Sequence, residues 1–277
     1  MMPDPVCRMG FGTMQLIGPG HWGAADDPAN SIQVLRDAVD AGVTHIDTAD
    51  SYGPFTAEKY IRKALHPYPE GLTIATKGGL TRQGPNQWAP CGRPEYLRQC
   101  VEMSLRRLQI ERIELYYLHR IDPAVPMEDQ LAVLADMQRE GKLGHIGLSK
   151  VDMSQVREAS RLVDIKAVQN KYNLTNRASE YVLSHCERAG ITFVPYAPLA
   201  SDGLTRAVGE LATVAAKHDA TPAQLALAWL LHHSPAITAI PGTSDRTHLG
   251  ENVAAQHIRL TAEDMTEIEA ASGQGDA

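Results

Sequence analysis

Four side chains that can hold or pass a proton stand along this chain, each at or just beyond the end of an apolar run. Asp47 closes the run from Val43, and Tyr52 follows in a loop that turns at Gly53-Pro54. Lys77 closes Leu72 to Lys77, and His119 closes Ile113 to His119. A free tyrosine titrates at about 10, too high to move protons readily at neutral pH. An ammonium group nearby favours the phenolate, and a carboxylate beside the lysine keeps it charged and fixed in place. A histidine across the gap can hold or polarise a carbonyl oxygen, or relay a proton. Together they would make a proton donor for a developing alkoxide. An alkoxide develops when hydride reaches a carbonyl carbon, so the missing half is a hydride source.

Such a set needs elements that bring distant strand ends together. Met9 to Met14 reads as a first short strand, and Asn30 or Ser31 can cap a helix that runs to Asp40 and ends at Gly42. Strand Val43 to Asp47, helix Thr56 to Leu65 and strand Leu72 to Lys77 follow. Gly78 to Pro94 reads as a long loop rich in Gly, Pro, Gln and Asn, with Trp88 inside it. Further strands at Ile113 to His119, Leu143 to Ser149, Ile165 to Asn170, Ile191 to Tyr196 and Ala236 to Ile240 alternate with helical stretches, and Arg246 to Ala255 and Ala262 to Ala271 end the chain as helices. Most of the strands are nearly continuous apolar runs, as a parallel sheet buried on both faces requires. Eight strands alternating with helices predict an α/β protein, a closed (β/α)8 TIM barrel forming one domain over residues 1–277. A doubly wound open sheet is the structural alternative. In a barrel, chemistry sits on the loops after the strands, which is where Asp47, Tyr52, Lys77 and His119 fall, on strands two, three and four.

The bulk numbers agree with a globular enzyme-sized domain. The 277 residues are 43% apolar and 21% charged, with a net charge of −7. That sign argues against a nucleic-acid partner. No apolar run approaches the roughly 20 residues that span a bilayer, so no membrane partner is expected. The N-terminus, Met-Met-Pro-Asp-Pro-Val-Cys-Arg, lacks the apolar stretch of a secretory signal. Cys7, Cys91, Cys100 and Cys186 show no CxxC and no metal-type spacing. They read as free thiols in a reducing compartment, and the expectation is a cytoplasmic protein without a bound metal. Gly18-Pro-Gly-His-Trp-Gly23 formally matches GxGxxG, but a dinucleotide fingerprint must open a helix at once, and helical periodicity begins only near Asn30.

Eight segments in order, nearly end to end, resemble the aldo-keto reductase family: Gly10 to Thr13, Gly42 to Gly53, Thr76 to Gly78, Leu115 to His119, Gly141 to Ser149, Gln169 to Asn173, Pro195 to Leu199, and Ile240 through Asn252. The resemblance implies a barrel that binds NADPH or NADP+ without a Rossmann motif and acts on a small-molecule carbonyl substrate. It implies Tyr52 as general acid, Lys77 and Asp47 as the groups that tune it, and His119 as the residue that orients the carbonyl. It also implies a cofactor track: Thr13, Met14 and Asp47 at the first strands; Ser149 and Gln169 on the nicotinamide carboxamide; Tyr196 on the ring; Pro198 and Leu199 along the pyrophosphate; and Gly242 to Asn252 at the adenosine end, with Glu251 and Asn252 near adenine. Gly242 and His248 stand where many members carry a lysine and an arginine for the 2′-phosphate. Thr243, Ser244 and Arg246 could take over that phosphate, and NADH remains open as a second coenzyme. Lys150 stands where asparagine is common and takes no carboxamide role.

Within the family, Gly18 to Gly20, Asp47 to Pro54 and Leu65 to Pro69 resemble bacterial reductases that include pyridoxal reductases. Trp22, Trp88 and Arg120 are the expected substrate contacts, and the assembly is expected to be a monomer or a homo-oligomer. Two other classes compete with a reductase. Some family barrels serve as NADP(H)-binding regulatory subunits with little turnover. A metal-dependent barrel hydrolase would want several His and carboxylates converging, often with His-x-His, which this chain lacks.

Overall fold

The structure is a computed structural model that describes residues 8–199 and 204–272, and for 204–210 the helix without its side chains. Residues 1–7 of the N-terminal segment discussed above, Cys7 among them, lie outside the described residues.

Alternation of strand and helix holds along the chain. In order, the elements are β1 (Phe11–Gly12), α1 (Pro28–Asp40), β2 (His45–Asp47), α2 (Thr56–Leu65), β3 (Thr73–Gly78), β4 (Leu80–Gly84), β5 (Gln87–Pro90), α3 (Pro94–Leu108), β6 (Ile113–Leu118) and α4 (Met127–Arg139). They continue as β7 (Leu143–Ser149), α5 (Met153–Leu162), β8 (Ile165–Lys171), α6 (Glu180–Ala189), β9 (Thr192–Tyr196), α7 (Leu204–Lys217), α8 (Pro222–His233), α9 (Arg246–Ala254) and α10 (Ala262–Ala271). Among the described residues β1, β2, β3, β6, β7, β8 and β9 form one parallel sheet in that order. The helices pack on its outer side in two apolar groups. One gathers around β6 to β9, and the other around β1 to β3 with α1, α2 and α9. The opposite side of the strands carries a small inner layer of Ala75, Leu115, Tyr117 and Ala167. Gly147 is needed in that layer, because a Cβ there would lie 2.5 Å from the Tyr117 ring.

Helix starts follow capping chemistry. The Asp152/Gln155 and Thr221/Gln224 pairs each form a reciprocal capping box at α5 and α8. Asp27, rather than Asn30 or Ser31, caps α1; its carboxylate accepts from Asn30 N at 3.0 Å, and Pro28 fits the first turn.

Three expectations are corrected. The first strand stops at Gly12, and Thr13–Leu16 is a 3-10 turn, in which the Thr13 hydroxyl donates to Thr48 Oγ1 at 2.9 Å. The stretch from Gly78 to Pro94 is not a plain loop, since β4 and β5 form an antiparallel hairpin across Pro85-Asn86, with Arg82 directly opposite Trp88. The eighth strand is not a ladder. Ile237 bridges Phe193 of β9, and Ala239 bridges Met9 just ahead of β1. The backbone bonds are Thr238 N to Phe193 O at 3.0 Å and Gly10 N to Ala239 O at 2.7 Å. Pro235 and Pro241 flank this stretch, and neither has an N–H with which to extend a ladder.

Candidate active site

Parallel pairing puts the ends of β2 and β3 side by side, with Asp47 opposite Ala75. Lys77 lies two residues further along β3 on the same face as Ala75, so its side chain reaches back over Asp47. Its ammonium donates to Asp47 Oδ1 at 2.5 Å and to Thr48 O at 2.8 Å, and the side chain is wholly shielded from solvent. Gln169 on β8 donates to the other oxygen, Asp47 Oδ2, at 2.8 Å. A buried lysine without partners would shed its proton. Burial does push Lys77 in that direction, but Asp47 and Tyr52 together outweigh it and hold the lysine above its ordinary value.

The turn after β2 carries Tyr52 back over this pair. Lys77 Nζ lies 5.2 Å from the centroid of the Tyr52 ring. The ring meets His119 edge-on at 6.0 Å and Trp88 edge-on at 6.4 Å. Burial raises the Tyr52 hydroxyl above its usual range, and Lys77 pulls the other way without overcoming it. The lysine was expected to bring the tyrosine down; in the folded site desolvation wins, so the phenol stays protonated at neutral pH. His119 is the opposite case. Burial first, then the charges of Lys77, Arg120 and Arg82, hold it well below its usual value, so it is a neutral imidazole. Ser51 Oγ lies 3.3 Å from His119 Nδ1. With that hydroxyl donating, the imidazole proton belongs on Nε2.

A polar track leads away from these four residues. Ser149 ends β7 beside Gln169 of β8 in register. Ser149 Oγ accepts from Arg120 Nη1 at 3.0 Å, which keeps its own proton for donation elsewhere. Gln169 uses its Nε2 on Asp47 and keeps Oε1 as an acceptor. A hydroxyl donor beside an amide acceptor matches a carboxamide, which needs one of each. Tyr196 is half-buried at the end of β9, Pro198 is buried in the turn beyond, and Leu199 packs against the main apolar group. At the far end Gly242 lies so close to the first strand that a Cβ would come 2.5 Å from Gly12 O. The chain then presents Thr243 and Ser244 ahead of α9 and Arg246 as its first residue, and Asp245 caps that N-terminus through the N–H groups of Thr247 and His248. His248 is exposed, Glu251 half-buried and Asn252 buried on α9. A cleft of about 420 Å³ opens between Met14, Gly18, His21, Asp27 and Ser244. Thr13 is turned inward on Thr48, so its hydroxyl is engaged within the fold.

Sequence similarity then decides the family. Residues 8–272 match the model of the aldo/keto reductase family. The chain belongs to the aldo/keto reductase family. It is 46% identical over 272 residues to an uncharacterized oxidoreductase of Schizosaccharomyces pombe, covering 98% of this chain and 89% of that one. It is 42% identical over 274 residues to pyridoxine 4-dehydrogenase of Escherichia coli, covering 96% and 95%. An aldo-keto reductase from Klebsiella pneumoniae, solved in complex with NADPH, superposes with a TM-score of 0.83 at 26% identity, covering 98% of this chain and 92% of that one. Family membership makes this chain an oxidoreductase.

In this aldo/keto reductase, residues outside the four strand ends also meet the site. Ser51 meets His119, Thr48 receives both Lys77 and Thr13, and Arg82 gathers the pocket rim. Asp50 is buried behind the turn and pushed up to about 7, by burial first and then by Glu58. The His45 ring is buried. Among the described residues no three His, Cys, Asp or Glu gather where a metal ion could sit. No described helix is long and apolar enough to cross a membrane.

Proposed function

We propose that the chain reduces an aldehyde or ketone to an alcohol with NADPH, that Tyr52 is the proton donor, and that pyridoxal is among its substrates. The observation that carries the chemistry is the Lys77 ammonium, sealed between the Asp47 carboxylate and the Tyr52 ring, with a neutral His119 meeting that ring edge-on. Bound NADPH supplies the hydride. Tyr52, protonated through burial, gives its proton to the carbonyl oxygen as negative charge grows there. Lys77 then faces a phenolate, which its charge stabilises. His119 offers Nε2–H to the same oxygen and fixes the carbonyl's direction. Ser149 and Gln169 hold the carboxamide, and Tyr196 lies against the nicotinamide ring. Pro198 and Leu199 follow the pyrophosphate, and Gly242 to Asn252 take the adenosine end. The sheet, with 236–241 bridging β9 and Met9, reads as a barrel closed in a single domain. Three free cysteines, Cys91, Cys100 and Cys186, suit a reducing compartment.

Arg246 is the one guanidinium offered to a 2′-phosphate in this reading, and it is paired with Asp37 of α1. That pair opposes phosphate binding. Asp37→Asn frees the arginine, and an exposed pair is worth about 0.2–1 kcal/mol, so NADPH binding should tighten by at most about fivefold with NADH unchanged. Calorimetric titration with each coenzyme checks it; equal changes for both would remove Arg246 from the phosphate site.

The substrate is tested by following NADPH oxidation, with NADH in parallel, against pyridoxal, a simple aromatic aldehyde and an α-keto aldehyde. The identity shared with pyridoxine 4-dehydrogenase predicts that pyridoxal with NADPH is preferred. No turnover on any of them, despite tight NADPH binding, would sink the reductase reading.

A further inference from the structure

Arg82 neither donates nor accepts a proton in that chemistry, though its charge helps keep His119 neutral, and it is among the most heavily engaged side chains near the site. It stands on β4 opposite Trp88 on β5. Its guanidinium lies 3.6 Å from the centroid of the Trp88 ring and 5.4 Å from that of Trp22. All three of its nitrogens donate to backbone carbonyls. Nε reaches Gln87 O at 2.9 Å, and Nη2 reaches Gly20 O at 3.2 Å and Gly84 O at 3.3 Å. Nη1 reaches His21 O at 2.9 Å and Ser51 O at 2.5 Å.

Those carbonyls belong to three separate pieces of chain: the hairpin itself, the 20–21 turn, and the turn that carries Tyr52. Ser51 directly precedes Tyr52, and its hydroxyl is the group near His119 Nδ1. The indole that Arg82 covers on one face meets the Tyr52 ring edge-on at 6.4 Å and the His119 ring edge-on at 6.4 Å. One planar cation thus fixes where Trp88 stands relative to the two groups that would meet the carbonyl oxygen. A lysine could supply the charge but not the flat, forked set of donors.

We propose that Arg82 is a positioning residue that holds Trp88 as a fixed flat wall beside Tyr52 and His119, and so favours planar aromatic carbonyls over small aliphatic ones. This rests on the carbonyl-reductase reading above. An aromatic aldehyde gains ring contact with the indole while its carbonyl lies between Tyr52 and His119; a short aliphatic aldehyde has no ring to place. The guanidinium touches neither the reacting carbonyl nor the hydride donor, and the ring selectivity it confers passes through the Trp88 face it covers.

The test compares Arg82→Met and Arg82→Lys with the unaltered enzyme on benzaldehyde and propanal, and adds Trp88→Leu and Arg82→Met/Trp88→Leu. Arg82→Met should raise KM for benzaldehyde about tenfold, with a smaller change in kcat and little change for propanal. Arg82→Lys should behave like Arg82→Met, because the fork rather than the charge is missing. The double variant should be no worse on benzaldehyde than Trp88→Leu alone. Equal losses on both aldehydes, full activity in Arg82→Lys, or additive losses in the double variant would each overturn the proposal. A readout without turnover separates it from the reductase reading. Benzyl alcohol binding to the NADP+ complex, followed by tryptophan fluorescence, should weaken about tenfold in Arg82→Met. If the unaltered enzyme turns over nothing, the reductase reading fails; if the alcohol binds both forms equally, the role of Arg82 fails.

Discussion

Tyr52→Phe should lower kcat/KM for any accepted aldehyde by about 10²–10⁴-fold, the usual range for removing a positioned proton donor. NADPH should bind as before, because the substitution removes one hydroxyl and leaves the ring that packs against Trp88 and His119. The thermal midpoint should barely move. Stopped-flow single turnovers with NADPH in excess would place the loss in the chemical step rather than in binding or release. The pH profile should follow from the same geometry. Burial keeps the phenol protonated beyond the ordinary tyrosine range, so the unaltered enzyme loses rate only on the alkaline side. His119 is held neutral well below its usual value and contributes no acid limb around pH 6. Turnover in Tyr52→Phe close to that of the unaltered enzyme would remove Tyr52 as the donor.

Lys77→Met should damage both stability and turnover. The lysine is fully buried, and its removal leaves the Asp47 carboxylate buried with Gln169 as its remaining side-chain donor. Breaking a buried pair from one side costs roughly 3–5 kcal/mol, or a fall in Tm of at least about 6 °C for a chain of this size. Activity should fall by at least about 10²-fold, since the largest charge that stabilises the Tyr52 phenolate is gone and only the weaker influence of Arg120 remains. The sign of the pH effect is fixed as well. Lys77 pulls Tyr52 down against burial, so any residual activity in the variant should have its alkaline limb displaced to higher pH. Lysine is held above its ordinary value, so the pair's stabilisation is full at neutral pH and is lost only as pH rises through the lysine's raised range. Adding Asp47→Asn removes the orphaned charge. The double variant should regain part of the lost Tm while remaining inactive, which separates folding from catalysis in a way neither single variant can.

Much of this architecture can be read from the chain, for identifiable reasons. Strand ends at Asp47, Ser149 and Tyr196 coincide with the ends of apolar runs, because a parallel sheet covered on both sides leaves little room for polar residues before its end. The match of α2 at Thr56–Leu65 reflects the His66-Pro67-Tyr-Pro69 stop that follows it. The β4–β5 hairpin was hidden by composition. Its short strands, Leu80–Gly84 and Gln87–Pro90, are polar and partly exposed, so turn residues outweigh strand formers in the stretch. Gly84-Pro85-Asn86 was the available hairpin signal. The importance of Arg82 was not legible, since the carbonyls it binds belong to turns that are distant in sequence. The tuning of Tyr52 was half legible: spacing pointed to a lysine neighbour, but only the depth of burial decides which influence prevails.

The stretch from 236 to 241 has a consequence for how the molecule is made. It is near the end of the chain, yet it joins β9 to the residues just ahead of β1. Chains grow from the N-terminus and tend to fold as they emerge. Until this stretch appears, both outer strands of the growing sheet carry unpaired backbone groups, the condition that invites strand-to-strand aggregation. The contacts it makes with Arg8, Met9 and Gly10 are among the longest loop closures in the chain, so they form late and slowly. Gly242 to Asn252 follow at once. A chain cut short before Pro241 therefore lacks the segment proposed for the adenosine end, and one cut before Ala236 also leaves its sheet edges open. Protection of the sheet edges and the segment proposed to hold a nucleotide thus arrive together as the chain grows.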